Sequence, residues 1–206
     1  MKASDRIVSL YEDNAEAWDR MRGRDLHERP WLDRFLMRIP PGGTILDIGC
    51  GMGEPIAHYL IERGFRVTGV DSSPSLIAMC RSRFPAQQWL VADVRELALG
   101  RRFDGLIAWH SAFFHLTPED QRPLFARLSG HARPGAALMF TSGPYHGEEI
   151  GEWQGEPLYH GSLGPDEYRL LLEASGFGDV VHAARDPECG SATVWLASLA
   201  CSTASP

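Results

Sequence analysis

From Thr44 onward, short apolar runs of strand length alternate with segments whose apolar positions recur every three or four residues. Runs at 44–48, Arg66–Asp71, Trp89–Asp93, Phe103–Trp109 and Ala136–Thr141 predict five strands, the fourth interrupted by Asp104 and Gly105. Between them, Ile56, Tyr59 and Leu60 mark one helix face, ending near Gly64. Ser73-Pro74 caps a second helix with Leu76, Ile77 and Cys80 on its buried side, and Thr117-Pro118-Glu119-Asp120 starts a third. A helix follows at about 165–175, where Tyr168, Leu171, Leu172 and Ser175 share a face. Strands near 178–184 and 192–199 flank Asp186-Pro187-Glu188-Cys189-Gly190 and predict an antiparallel hairpin. Upstream, residues 5–39 predict two helices joined by a polar bend, the second carrying Leu32, Phe35, Leu36 and Ile39. The alternation predicts an α/β fold with a central, mostly parallel sheet. Residues 1–206 are expected to form one domain, with a helical lid over 1–40 and a core over 44–200. Residues 143–163 show no period, and the last few residues are expected to be disordered.

Composition narrows the partners. The 206 residues are 44% hydrophobic, enough for one substantial core, and carry a formal net charge of −7. That balance supplies no overall electrostatic attraction to nucleic acid or to an anionic membrane. No apolar run approaches the roughly 18 residues needed to span a bilayer. The N-terminal stretch has acidic residues where a secretory signal has an apolar core, so a cytoplasmic location is expected. The four cysteines lie far apart without a CxxC pair, which predicts neither a disulfide framework nor a metal site. Lys2 is the sole lysine, which excludes a lysine nucleophile or Schiff base.

The candidate chemistry centres on Ile45-Leu46-Asp47-Ile48-Gly49-Cys50-Gly51-Met52-Gly53, where a buried strand ends in an acid and three alternate glycines. Only glycine lets a ligand lie against such a turn. Two later strands also end in acids, Asp71 and Asp93, and Asp71 lies 18 residues beyond Gly53, at the spacing of a ribose ligand. A dinucleotide fingerprint has its third glycine one position later; Glu54 stands there and would repel a pyrophosphate. A cationic, phosphate-free adenosyl ligand is favoured, with Asp47 and Glu54 attracting it.

In these residues, together with Val67-Thr68-Gly69-Val70-Asp71, Val91-Ala92-Asp93 and Arg133-Pro134-Gly135, the chain resembles the class I S-adenosylmethionine-dependent methyltransferases over roughly residues 40–200. The resemblance implies a three-layer, Rossmann-like sandwich with a seven-stranded sheet of order 3-2-1-4-5-7-6, strand seven antiparallel. It implies S-adenosylmethionine as cofactor and S-adenosylhomocysteine as product. Gly49 and Gly51 would let the backbone approach its methionine part, with Asp47 near the amino group and Gly53 also among the cofactor-binding residues. Asp71 and Ser72 would face the ribose, Asp93 and Val94 the adenine, and Trp109 and His110 the transferred methyl. Tyr11, in Tyr11-x-x-x-Ala15-x-x-Trp18, would close over the cofactor.

The acceptor is expected along two stretches. Trp109 to His115 leaves the fourth strand at the ligand edge and offers His110 and His115 as candidate bases beside Phe113 and Phe114. Residues 142–163 are expected to cover the acceptor, with His146 a third candidate base and Trp153, Tyr159 and His160 as contacts. Arg20, Arg22, Arg24 and Arg29 form a patch that is either a solvated face or a clamp on a carboxylate. With the resemblance, these residues lead to the expectation of a methyltransferase acting on a small molecule, oxygen before nitrogen. The alternatives are a nucleotide-dependent oxidoreductase and a non-catalytic S-adenosylmethionine-binding protein. The oligomeric state is not determined by the sequence.

Overall fold

A computed structural model describes residues 6–201; the expected disorder of the last few residues lies outside them. Seven strands form the main sheet: β1 (Thr44–Ile48), β2 (Arg66–Asp71), β3 (Gln88–Val91), β4 (Phe103–Ala108), β5 (Ala132–Ser142), β8 (Phe177–Asp186) and β9 (Ala192–Leu199). Their order is β3-β2-β1-β4-β5-β9-β8, with β9 antiparallel to both neighbours. This is the expected order, because two further strands, β6 (Gly147–Trp153) and β7 (Glu156–Ser162), stand apart as a separate pair.

Helices α4 (Ile56–Glu62) and α5 (Pro74–Arg83) cover one side of the sheet's first half, and α7 (Pro118–Gly130) and α8 (Pro165–Ala174) join the layer packed on Phe140 and Trp195. Ser73 caps α5 by accepting from the Leu76 amide at 3.1 Å, and Thr117 caps α7 through the Asp120 amide at 3.2 Å, as the sequence predicts.

The two residues that interrupt the fourth strand have structural tasks. A Cβ on Gly105 would fall 2.3 Å from Ile39 Cδ1 and 2.8 Å from Phe35 Cζ, so its bare backbone is what lets α3 (Arg29–Leu36) settle on the sheet. Asp104 accepts from the Thr44 amide at 2.7 Å and pairs with Arg133 at 2.7 Å, tying together the starts of β1, β4 and β5.

The N-terminal segment differs from the expected pair of helices. It contains α1 (Ile7–Asp13) and α2 (Ala15–Met21), broken at Asn14, and then α3. Trp31, Leu32 and Phe35 on α3 are almost completely buried among Ile45, Ile107 and Met139. The expected lid over 1–40 is therefore divided: α3 is part of the core, and α1 and α2 lie over the carboxyl edge of the sheet.

The second departure is at 143–163. The segment without a readable period folds as the β6–β7 hairpin, pairing Glu149 with His160 and Trp153 with Glu156. Its turn is Gln154-Gly155, with φ of +55° and +79°, the left-handed pair that a two-residue hairpin loop requires. A short helix, α6 (Ala112–His115), links β4 to α7 and packs beside β7.

Candidate active site

Two adjoining clefts open along the carboxyl edge of the sheet, with about 820 Å³ and 990 Å³ of empty space that includes the solvent at their openings. They meet at Trp18, Gly49, Gly51 and His110, which line both. This is the position at which open α/β sheets bind ligands.

The three glycines of the turn have left-handed φ of +67° (Gly49), +55° (Gly51) and +83° (Gly53), but face different surroundings. A Cβ on Gly49 would lie 2.3 Å from Ser111 Cβ; one on Gly51 would meet only Trp18 Nε1, at 3.6 Å, and otherwise point into open space. A Cβ on Gly53 would press on the Phe84 ring at 3.0 Å and on Cys80 Sγ at 3.3 Å. Gly53 thus faces α5 and does not line either cleft, so the structure separates it from the cofactor residues among which the sequence grouped it.

The first cleft has Asp71, Ser72, Asp93 and Val94 on its floor, with Ile7, Val8 and Tyr11 from α1 above. Asp71 accepts from the amides of Gly51 and Ser73, each at 2.9 Å, and so holds the glycine turn in place. The Ser72 amide also donates to this carboxylate, which with about four acceptor sites keeps room for a hydroxyl. Burial raises the Asp71 pKa. Asp93 caps the turn at Val94–Glu96 by accepting from the Arg95 amide at 2.8 Å. Burial works to raise its pKa, but the Arg95 guanidinium, 2.6 Å away, holds it below the usual value.

Asp47 lies beneath the second cleft, only 4% exposed. Burial first, and the charge of Asp71 second, push its pKa up to about 7. The same cleft is lined by Trp109, Arg22, His27, Glu28 and Cys189. The arginine patch resolves into pairs: Arg22 with Glu28 at 2.6 Å, Arg24 with Asp19 at 2.7 Å and also with Glu54, Arg20 with Glu16 at 3.5 Å, and Arg29 with Asp33 at 3.8 Å. Glu54, expected to attract a cation, is thus already opposed by Arg24.

Above the junction, Tyr11 meets the edge of Trp18 at 5.3 Å and stacks on Trp153 of the hairpin at 5.8 Å. Its hydroxyl lies 3.1 Å from Nε2 of His115, whose Nδ1 lies 3.1 Å from the carbonyl of Tyr159. A carbonyl only accepts, so Nδ1 carries the proton and Nε2 accepts from Tyr11. Burial draws the His115 pKa down to about 4 and, with Asp71 adding to it, pushes Tyr11 up to about 12. His110 has a left-handed φ of +46°, donates its amide to Thr141 Oγ1 at 2.7 Å, and stacks on Phe114 at 5.2 Å. Burial lowers its pKa too.

Several expected acceptor contacts lie elsewhere. Phe113 is 1% exposed and packs on Phe125, Phe140 and Tyr168, because successive residues of α6 point about 100° apart and the core takes this one. Phe114 takes the opposite side, against His110 and His160, and lines neither cleft. His146 is exposed in the strand connection and lines neither cleft. Tyr159 donates to Glu148 at 2.6 Å and reaches the site only through its carbonyl. His160 stands 5.5 Å from His115, behind the cleft wall. Of the arginine patch, Arg22 lines the second cleft; His27, Glu28 and Cys189 line it too, from a linker and a turn that carry no motif of their own. Ser111, which donates to the Ile48 carbonyl at 2.7 Å, carried one usable signal, its place just after a strand end.

Residues 45–135 match the methyltransferase domain family. The fold is that of the class I methyltransferases. The dTDP-3-amino-3,4,6-trideoxy-alpha-D-glucopyranose N,N-dimethyltransferase of Streptomyces venezuelae is 28% identical to this chain over 137 residues, 63% of this chain and 57% of its own. The trans-aconitate 2-methyltransferase of Azoarcus sp. (strain BH72) is 36% identical over 108 residues, 50% of this chain and 41% of its own. The chain spans about half the length of the curated relatives it matches. The crystal structure of magnesium protoporphyrin IX methyltransferase from Synechocystis PCC 6803, with bound SAM, superposes with a TM-score of 0.73 at 14% identity, covering 97% of this chain and 98% of that one. Within this methyltransferase fold, the two clefts follow the glycine turn and the ends of β1, β2 and β4. Among the described residues, no helix is long and apolar enough to cross a membrane.

Proposed function

We propose that this chain transfers a methyl group from S-adenosylmethionine to a small-molecule acceptor. The observation that carries the reading is the continuity of the two clefts across Gly49, Gly51 and His110, with Asp71 and Asp93 in one and Asp47 in the other. The residues present fit the cofactor on two counts. The space where a Gly51 Cβ would stand is open, and Asp47 is a buried acid that a cation would help to ionise.

When bound, the cofactor supplies a methyl group made electrophilic by its sulfonium. Asp71, with Ser72 beside it, is assigned to the ribose hydroxyls, and Asp93 and Val94 to the adenine edge. Asp47 and the backbone of Gly49 and Gly51 are assigned to the methionine end, with Trp109 alongside. Tyr11, Ile7 and Val8 close the first cleft against water, and His110 stands at the junction where donor and acceptor are to meet. His115 is assigned to holding Tyr11. Its two nitrogens are engaged, so it serves as a positioning residue. Holding two reactants at near-attack distance supplies several kcal/mol toward such a displacement.

Small-molecule acceptors fit the relatives' names, which span an amino sugar, trans-aconitate and a magnesium porphyrin. Those names leave the accepting atom open. Calorimetry tests the reading: micromolar binding of S-adenosylhomocysteine with none of NADH is expected. Binding of NADH alone would return the chain to the oxidoreductase alternative.

A further inference from the structure

Of the histidines expected as bases, His110 is the one whose ring remains open to an acceptor. Among the described residues that line both clefts, Trp18, Gly49 and Gly51 offer no group that takes a proton; His110 does. Both nitrogens of His115 are engaged, by Tyr11 and Tyr159, and His146 lines neither cleft. The side chain of His110 is exposed at the junction, and neither ring nitrogen has a hydrogen-bond partner among the described residues.

The ring is nevertheless fixed in place. His110 follows the end of β4 with a φ of +46°, a conformation uncommon for a residue with a side chain, and such strain persists only where neighbouring contacts over-determine it. Those contacts are its amide on Oγ1 of the buried Thr141 at 2.7 Å, the stack on Phe114 with the planes 16° apart, and the edge of Trp109 at 5.6 Å. The titratable groups within electrostatic reach are Glu28 and Arg22 from the linker between α2 and α3, His115 from α6 and His160 from β7. Burial first, with Arg22 and His160 adding to it against Glu28, holds the pKa below 6.5, so at neutral pH the imidazole is in the form that accepts a proton.

Resting on the methyl-transfer reading above, we infer that His110 is the general base, taking up the proton that the accepting atom sheds. Hydroxyl and ammonium acceptors share this need; a carboxylate has no proton to lose. With a hydroxyl, an oxygen lone pair forms the bond to the methyl carbon and the carbon–sulfur pair returns to sulfur. The O–H pair stays on oxygen, and the proton goes to a lone pair of the imidazole. An ammonium gives its proton to the same nitrogen first, and the freed pair then forms the nitrogen–carbon bond. The imidazolium, with Glu28 in reach, returns the proton to water after product leaves.

The test uses the full chain, S-adenosylmethionine with a deuterated methyl, and a panel of ring compounds presented as matched alcohol, amine and carboxylate, with products read by mass spectrometry. The fastest acceptor is then followed in two variants chosen for the backbone. Asn tolerates a left-handed φ, so His110→Asn removes the base and keeps the turn; His110→Gly keeps it too and leaves room for imidazole from the buffer. Calorimetry first confirms that S-adenosylhomocysteine binds both. In each, kcat is expected to fall by about 100-fold or more, the scale of a lost general base, and added imidazole is expected to restore part of it in His110→Gly. Wild-type kcat is expected to fall as pH drops through the His110 pKa, below 6.5, and His110→Asn to lack that limb. A kcat within a few-fold of wild type in both variants, an acid limb that survives in His110→Asn, or a carboxylate as the fastest acceptor overturns the inference. So does a panel without any methylated member when S-adenosylhomocysteine binds. Failure of S-adenosylhomocysteine to bind the wild type defeats the donor reading instead.

Discussion

Tyr11 donates its hydroxyl proton to Nε2 of His115, 3.1 Å away across 104 residues of sequence, because the other ring nitrogen already donates to the carbonyl of Tyr159. The bond joins α1, α6 and β7, the three elements that enclose the cleft junction from above. It also gives the neutral imidazole a role that needs no proton transfer.

Replacing Tyr11 by Phe leaves Nε2 of His115 as a buried acceptor without a donor, which is expected to cost about 1–3 kcal/mol. His115→Leu removes the acceptor as well. A double-mutant cycle by urea unfolding is expected to show a coupling of about 1 kcal/mol. Strictly additive losses would mean that the bond contributes nothing.

The glycines separate by phenotype. Gly51→Ala puts a methyl into the cleft at little steric expense elsewhere, with about 1–2 kcal/mol of backbone strain at φ +55°. It is expected to weaken S-adenosylhomocysteine binding by about tenfold or more, equivalent to ~1.4 kcal/mol. Gly53→Ala meets the Phe84 ring and is expected to lower the melting temperature while leaving affinity nearly intact in the folded fraction. Equal loss of affinity in both would contradict the separate surroundings of the two.

Asp47 ties stability and affinity to pH in opposite directions. Its folded pKa, about 7, lies above the ordinary 3.8, so the native state holds the proton more tightly than the unfolded chain. Stability without ligand therefore falls as pH rises from about 4 to about 7, by up to roughly 4 kcal/mol. Affinity for a cationic ligand rises over the upper part of that window, as the carboxylate ionises. Asp47→Asn is expected to flatten both curves. Thermal unfolding and calorimetry at pH 6 and 8 check this, and pH-independent affinity in the wild type would count against it.

Glu12 latches α1 to the start of α5, accepting from Ser73 Oγ at 2.5 Å and from the Ser75 amide and hydroxyl at 3.0 and 2.7 Å. The Ser73 and Ser75 hydrogen bonds lower its pKa below 4.5, so the latch is complete above that pH and is lost as pH falls through the folded value. Glu12→Gln is expected to speed S-adenosylhomocysteine dissociation several-fold in stopped flow and to expose α1 to proteolysis. An unchanged off-rate would show that α1 does not gate the cleft.

Local backbone requirements are what the sequence by itself determined. An apolar run ending in an acid and alternate glycines specifies a buried strand and a tight turn whatever packs around it, as do the caps at Ser73 and Thr117. The strand-end positions of Asp47, Asp71 and Asp93 were legible for that reason, while the order of the sheet came from the resemblance to a known family and not from local pattern. The hairpin at 147–162 was not legible, because its glycines and exposed glutamates erase the period of two, and only pairing between distant backbone groups makes it a strand pair. Tertiary packing alone decided that Phe113 faces the core while its neighbour Phe114 faces His110, since a one-turn helix can be rotated either way until Phe125 and Phe140 claim one side. It also decided that His115 is held by Tyr11 and Tyr159, that Arg22 is matched by Glu28, and that Asp47 has no ion-pair partner among the described residues. Burial and charge pairing are sums over residues distant in sequence. They exist only once the chain has closed on itself.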